Sequence, residues 1–196
     1  MAVRKTIQIG DPRLKAKNKK IVNFGDPRLK KVIKDLIDTM KRRTLIGMVA
    51  PQIGYNFKIF VTQPRKTKFR KLPFKDKIRV YINPEIIKSS KEKVIIWEGC
   101  GCVGIKDMFF GPVKRPKEVT LEACDEKGKR FQLRCNGILG RVIQHELDHL
   151  RGIEFIEKVD DYKKLMHEMH YTKTIRNSKE QNEATRVTVL EYKRIN

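Results

Sequence analysis

The residues of this chain best suited to chemistry are two histidines and a glutamate in the run Gln144-His145-Glu146-Leu147-Asp148-His149. On a helix, side chains four residues apart lie on one face about a turn apart, so His145 and His149 can grip one metal ion. Glu146 sits beside the first of them. A metal lowers the pKa of a water molecule and a carboxylate manages its proton, so the pattern predicts metal-assisted hydrolysis. The pattern is short, and a surface helix that carries these residues without using them is the competing reading.

Two histidines do not complete a catalytic metal site, which takes three protein ligands and leaves one position open. A third histidine at the spacing His-Glu-x-x-His-x-x-Gly-x-x-His is excluded, because Gly152 is in place but Phe155 occupies the ligand position. Glu168, further along the chain, would complete a zinc peptidase set with His145 and His149. The remaining source is Glu98-Gly99-Cys100-Gly101-Cys102. A Cys100 thiolate with two imidazoles suits a divalent transition metal, and its flanking glycines let backbone approach closely. Cys100 is preferred and Glu168 is kept as its rival. Cys102 reads as a packing residue, with competition for the metal or oxidation with Cys100 as the sharper alternative.

The elements that must hold these residues follow from periodicity and turn chemistry. Gly10-Asp11-Pro12-Arg13-Leu14-Lys15 returns as Gly25-Asp26-Pro27-Arg28-Leu29-Lys30. The first copy runs into a basic arm. The second opens a helix with Asp26 as N-cap, Pro27 as first residue and an apolar stripe through Met40, ending near Arg43. Strands are predicted over 58–62, 79–82 and 93–97, and a hairpin pairs 118–124 with 130–135. One helix after Gly137 carries the histidines. The class is α+β, with antiparallel and mixed sheets around a central metal-bearing helix. Residues 1–160 are read as one catalytic domain with a basic N-terminal arm, and 161–196 as a helix followed by a basic tail.

The chain of 196 residues carries 45 basic and 23 acidic side chains, a formal net charge of +22. Such an excess favours polyanions, nucleic acid or a particle made of it leading. The basic stretch 63–78, with Phe69 and Phe74 interleaved, is a mobile surface loop or a nucleic-acid contact. No apolar run reaches the roughly 18 residues of a membrane span, no secretory signal is recognisable, and four cysteines read as thiols or ligands. Cytoplasmic residence is the expectation.

Three motifs in order, Gly47-Met48-Val49-Ala50-Pro51-Gln52-Ile53-Gly54, Glu98-Gly99-Cys100 and Gln144-His145-Glu146-Leu147-Asp148-His149, resemble the signature motifs of the peptide deformylases. The resemblance spans roughly Ile7 to Phe155. It implies Cys100, His145 and His149 as metal ligands, and Glu146 as general acid/base. It also implies Gln52 and the Gly101 backbone N–H as donors to the developing oxyanion, and Gly47, Met48, Val49, Glu98, Gly99, Arg141 and Val142 along the substrate groove. The implied activity is release of formate from N-formylmethionyl nascent chains, using ferrous iron or else zinc, nickel or cobalt. The basic surface and tail would then hold the enzyme near ribosomal RNA. Glu98 and Arg115 would pair behind the metal ligands.

Some positions depart from the family pattern. Leu45 stands where Gly is usual, Val49 where Ala or Ser is usual, and Gly101-Cys102 where Leu-Ser is usual. Gly101 would hold its N–H less firmly than a bulkier residue. A catalytically weakened relative serving as a ribosome- or RNA-binding module is the reading these departures would favour.

Overall fold

The computed structural model describes residues 3–67, 72, 75–104, 107–186 and 188–195. Phe69 and Phe74 lie outside the described residues. Helix α1 (Pro27–Arg42) starts as the sequence indicates, with Asp26 accepting from the Arg28 N–H and Pro27 in the first position. Its stripe Leu29, Val32, Leu36 and Met40 is buried against Met48 of β1 (Gly47–Val49) and Ile59 and Val61 of β2 (Ile59–Thr62). Spacing of one helical face and burial of that face coincide, as amphipathic packing requires.

The chain continues through β3 (Arg79–Ser89), β4 (Lys93–Gly99), β5 (Phe109–Pro116), β6 (Glu118–Cys124) and β7 (Arg130–Asn136). Helix α2 (Gly137–Leu150), β8 (Met166–His167), α3 (Glu168–Thr174), α4 (Lys179–Ala184) and β9 (Thr188–Arg194) complete it. Strands β6 and β7 form the expected hairpin, with Glu118 opposite Asn136 and Cys124 opposite Arg130. Strand β3 runs further than its alternation indicates. It bends at Asn83, which has φ of 52° and whose side chain holds both the N–H and the C=O of Ile21, at 2.9 and 2.7 Å.

Two sheets result, one of six strands in the order β1-β2-β3-β6-β7-β9 and one of three in the order β4-β5-β8. Their ladders are antiparallel, and a lone bridge between Lys19 and Phe57 is parallel. Helix α2 lies between the sheets. Leu139, Ile143, Leu147 and Leu150 pack into the cluster built on Tyr81, Leu121 and Leu133 of the large sheet. Arg141, His145 and Asp148 face β4 and β5, bonding to Glu98, Val113 and Arg115. The helix thus has one apolar and one charged buried face, an arrangement that only specific ion pairing makes tolerable.

The segment from residue 161 onward corrects the sequence reading. Residues 161–171 do not form one helix, because the segment turns at Tyr162–Lys164, adds β8 to the small sheet and only then starts α3. Nor do residues 172–196 form a free tail. Strand β9 pairs along β7 from Phe131 opposite Arg194 to Asn136 opposite Thr188, and Tyr192 stacks on Phe131 with ring centroids 5.4 Å apart. Backbone pairing decides this segment more than side-chain hydrophobicity does, and strand addition leaves only a weak trace in composition. Among the described residues, no helix is long and apolar enough to cross a membrane.

Candidate metal centre

Cys100 follows directly on the end of β4, while His145 and His149 project from consecutive turns of α2. The Cys100 sulfur and one nitrogen of each ring lie within 4.8 Å of one another. Cys100 Sγ is 3.1 Å from His149 Nε2, and the two imidazoles meet edge to face, with centroids 5.0 Å apart. Among the described residues, this is the group able to hold a metal, and Glu168 is not part of it. Glu168 pairs instead with Arg176, at 3.6 Å, which removes the support for a peptidase set.

A carboxylate behind the histidine fixes its tautomer. His145 Nδ1 lies 2.9 Å from Glu98 Oε2. Since that carboxylate accepts, the proton sits on Nδ1 and the Nε2 lone pair is left for a metal. Glu98 in turn receives Arg115 through Nε at 2.7 Å and Nη2 at 3.0 Å, and Arg141 Nη1 at 2.9 Å. Burial alone would raise the Glu98 pKa, but Arg115 and His145 outweigh it and hold the group well below the usual carboxylate range. Arg115 also reaches Asp148 by a very short contact.

Glu98 and Arg141, which the resemblance set along the groove, both line the cavity, with their charged ends bonded to each other. Arg141 is spent on Glu98 and on the carbonyls of Val113 and Val94, all at 2.9 Å. Both side chains support the ligands from behind. Met48 and Val49 are fully buried in the core, so β1 can offer a substrate only its backbone. Gly47, Gly99, Gly101 and Val142 line the same cavity beside the histidines.

Two more groups face the same space. Gln52 Oε1 accepts from the Val49 N–H at 3.1 Å, which aims its Nε2 at Cys100 Sγ, 3.3 Å away. Glu146 is buried, and its Oε2 has no hydrogen-bond partner among the described residues. Burial raises its pKa. Gly47 makes this position possible, because a Cβ there would collide with Glu146 Oε1 and Val142 Cγ1. Burial also pushes the Cys100 thiol up to about 12, reinforced by the Cys102 sulfur at 2.9 Å. A cation among these donors would reverse that shift. Soft sulfur, two imidazoles and an orphaned carboxylate oxygen fit one divalent transition metal with a proton-handling group beside it.

Cys102 owes its place near Cys100 to a turn rather than to a continued strand, since β4 ends at Gly99. The far wall of the cavity was not legible in the sequence. It comes from α3, α4 and the turns around them, with Tyr171, Arg176, Gln181 and Thr185 lining it. These residues carry no motif, and only their helical spacing could have hinted at a packed role.

The sequence model of the polypeptide deformylase family matches residues 3–165. A peptide deformylase of Pseudothermotoga lettingae is 35% identical over 184 residues, covering 94% of this chain and 99% of that protein. One from Dictyoglomus thermophilum is 36% identical over 156 residues, covering 80% of this chain and 92% of that one. The crystal structure of a peptide deformylase from Legionella pneumophila superposes with a TM-score of 0.73 at 32% identity, over 83% of this chain and 89% of the other.

Proposed function

This chain belongs to the polypeptide deformylase family, and we propose that it hydrolyses the formyl group from peptides beginning with N-formylmethionine, releasing formate and a free amino terminus. Cys100, His145 and His149 would hold one divalent metal, ferrous iron first, with zinc, nickel and cobalt suited to the same donors. When bound, the metal supplies the Lewis acidity that makes water a nucleophile near neutral pH.

The observation that carries this reading is the placement of Gln52 and Glu146 around the cysteine–histidine cluster. The Val49 N–H orients the Gln52 amide, so a donor stands ready for an oxyanion without reorganising, and Gly101, which lines the same cavity, would supply its N–H as the second donor. The unpartnered Glu146 oxygen is free to take a proton from water and deliver it to the departing amine. Its raised pKa moves it toward the range where both transfers are efficient. Edge strands β1 and β4 flank the cavity, so an extended peptide can pair its backbone with both.

The test is formate release from formyl-Met peptides under anaerobic conditions, with metal analysis of the same sample. Glu146→Gln should keep the metal and lose about 100- to 10,000-fold in kcat. No turnover by the fully loaded wild type would sink the reading.

The net charge of +22 supports a working place beside ribosomal RNA in the cytoplasm, where nascent chains emerge. Lys173, Lys179 and Lys193 are exposed and can be reversed without cutting α4 or β9. Ribosome co-sedimentation should weaken steeply with salt and with those reversals. Association insensitive to both would remove the docking idea.

A further inference from the structure

Strand β4 is the edge of the three-stranded sheet, and its free side borders the cavity. Trp97 sits opposite Pro112 of β5, a residue with no N–H to give. The Trp97 N–H and C=O point the other way and are already taken. The Gln181 side chain accepts from the Trp97 N–H at 3.1 Å and donates to the Trp97 C=O at 3.3 Å. One side-chain amide thus fills the place that a peptide unit of an added strand would occupy.

In an antiparallel strand the outward-facing backbone pairs recur at every second residue, so Gly99 presents its own pair to the same edge, beside Cys100. Two residues of strand span about 6.8 Å. Gln181 is held firmly in place. It is buried, Ser178 caps its helix by accepting from its N–H at 3.1 Å, and its Nε2 also lies 3.4 Å from Tyr171 Oη. Tyr171 stacks on Phe110 of β5 with centroids 4.0 Å apart and planes within 7°. At the other end of α4, the Thr185 carbonyl accepts from the Ile138 N–H in the first turn of α2, at 3.2 Å. The helix that covers Trp97 is thereby tied to the strand that leads into Cys100 and to the helix that carries both histidines, and it lies beyond residues 3–165 of the family match.

We propose that Gln181 is a specificity-determining residue that ends the substrate groove, so that an extended peptide pairs with the β4 edge at Gly99 and finds the next position closed. This rests on the deformylase reading above. The enzyme then reads the formyl-methionine and about two residues after it, and anything longer leaves the groove.

The experiment uses the metal-loaded enzyme and formyl-Met peptides extended by one to four alanines. In the wild type kcat/KM should level off after the second alanine. In Gln181→Ala it should keep rising, about fivefold for the longest peptide, which is the worth of one net backbone hydrogen bond, and the gain should appear in KM. Gln181→Met keeps the bulk without the hydrogen bonds and should keep the plateau. Hydrogen exchange supplies a readout independent of turnover, in which the Trp97 amide is protected in the wild type and loses protection in both variants. A wild-type gain continuing through the fourth alanine would overturn the proposal, as would an unchanged profile in Gln181→Ala or equal Trp97 exchange in all three proteins. Failure to release formate at any length would overturn the deformylase reading and the length limit with it, while the exchange result would still decide the Gln181 contact.

Discussion

Leu45 and Gly101 share one space: a Cβ built on Gly101 would lie 2.9 Å from Leu45 Cδ1. Gly101 is not among the glycines with positive φ, so what it provides is room and not conformation. Two departures from the family pattern, Leu at 45 in place of Gly and Gly at 101 in place of Leu, are therefore one exchange of bulk across the cavity. The Leu45 side chain restores, from the opposite wall, the packing that a flexible Gly101 would lack. Gly101→Leu alone should overpack and cost about 1–3 kcal/mol. Leu45→Gly alone should cost a similar amount, about 1–3 kcal/mol, through lost packing and added chain freedom. The double variant should recover at least about 1 kcal/mol of their sum. Urea unfolding of the four proteins measures this, and strict additivity would dismiss the exchange.

The charged core predicts unequal effects for two substitutions. Arg115 bridges Glu98 and Asp148, and all three are buried. Arg115→Ala leaves two buried carboxylates short of a partner and should cost about 3–5 kcal/mol. Glu98→Gln keeps the shape but loses the negative charge and one of the two accepting oxygens, which weakens the hold on His145, so its main effect should be metal affinity, weaker by about 10- to 100-fold. Thermal melts and metal titration of both variants separate stability from affinity. If Arg115→Ala matched the wild type in both, the bridge would be ornamental.

Much of the metal centre was legible because its chemistry forces residue types into fixed local patterns. His145 and His149 are spaced by one helical turn, and Cys100 is flanked by the glycines a close approach needs. The supporting layer was half legible. Glu98 and Arg115 were expected as a pair, but the bond from Arg141 to Glu98 was not, because nothing in a helix sequence tells which buried partner a long side chain takes. The C-terminal wall was illegible for another reason. Strand β9 is held by backbone pairing with β7, and Gln181 acts through a side-chain amide on another strand's backbone. Neither contact demands a recognisable residue pattern.

Acid sensitivity should arise in part far from the metal, at Asp35. Its carboxylate is buried in α1 and accepts from Arg4 Nε at 2.9 Å, Lys31 Nζ at 3.1 Å and Tyr55 Oη at 3.2 Å. Burial opposes its charge, but these partners outweigh it and lower its pKa. A carboxyl with a lowered folded pKa stabilises the fold above its unfolded value, about 3.9, and loses that contribution as pH falls through the folded one. Asp35→Asn should therefore be less stable than the wild type at pH 6, and the gap should close below about pH 4. Denaturant midpoints across pH 6 to 2.5 measure it. A gap constant over that range would place the Asp35 contribution in packing instead of charge.

Metal removal should destabilise the fold, because the ligands come from two stretches that meet only in the native state, Cys100 after β4 and the histidines on α2. Binding to the folded form alone adds stability by mass action, about 4 kcal/mol when free metal is a thousand times its Kd. Each 1 kcal/mol moves Tm by about 2–4 °C in a domain of this size. A strong chelator should thus lower Tm clearly, and reloading should restore it. His149→Ala should abolish the difference between loaded and chelated protein. Cys102→Ser should preserve it, since Cys102 contacts the Cys100 sulfur but stands outside the three-ligand cluster. Loss of the difference in Cys102→Ser would instead make the second cysteine a ligand and give the site a fourth protein donor where a hydrolase needs an open position.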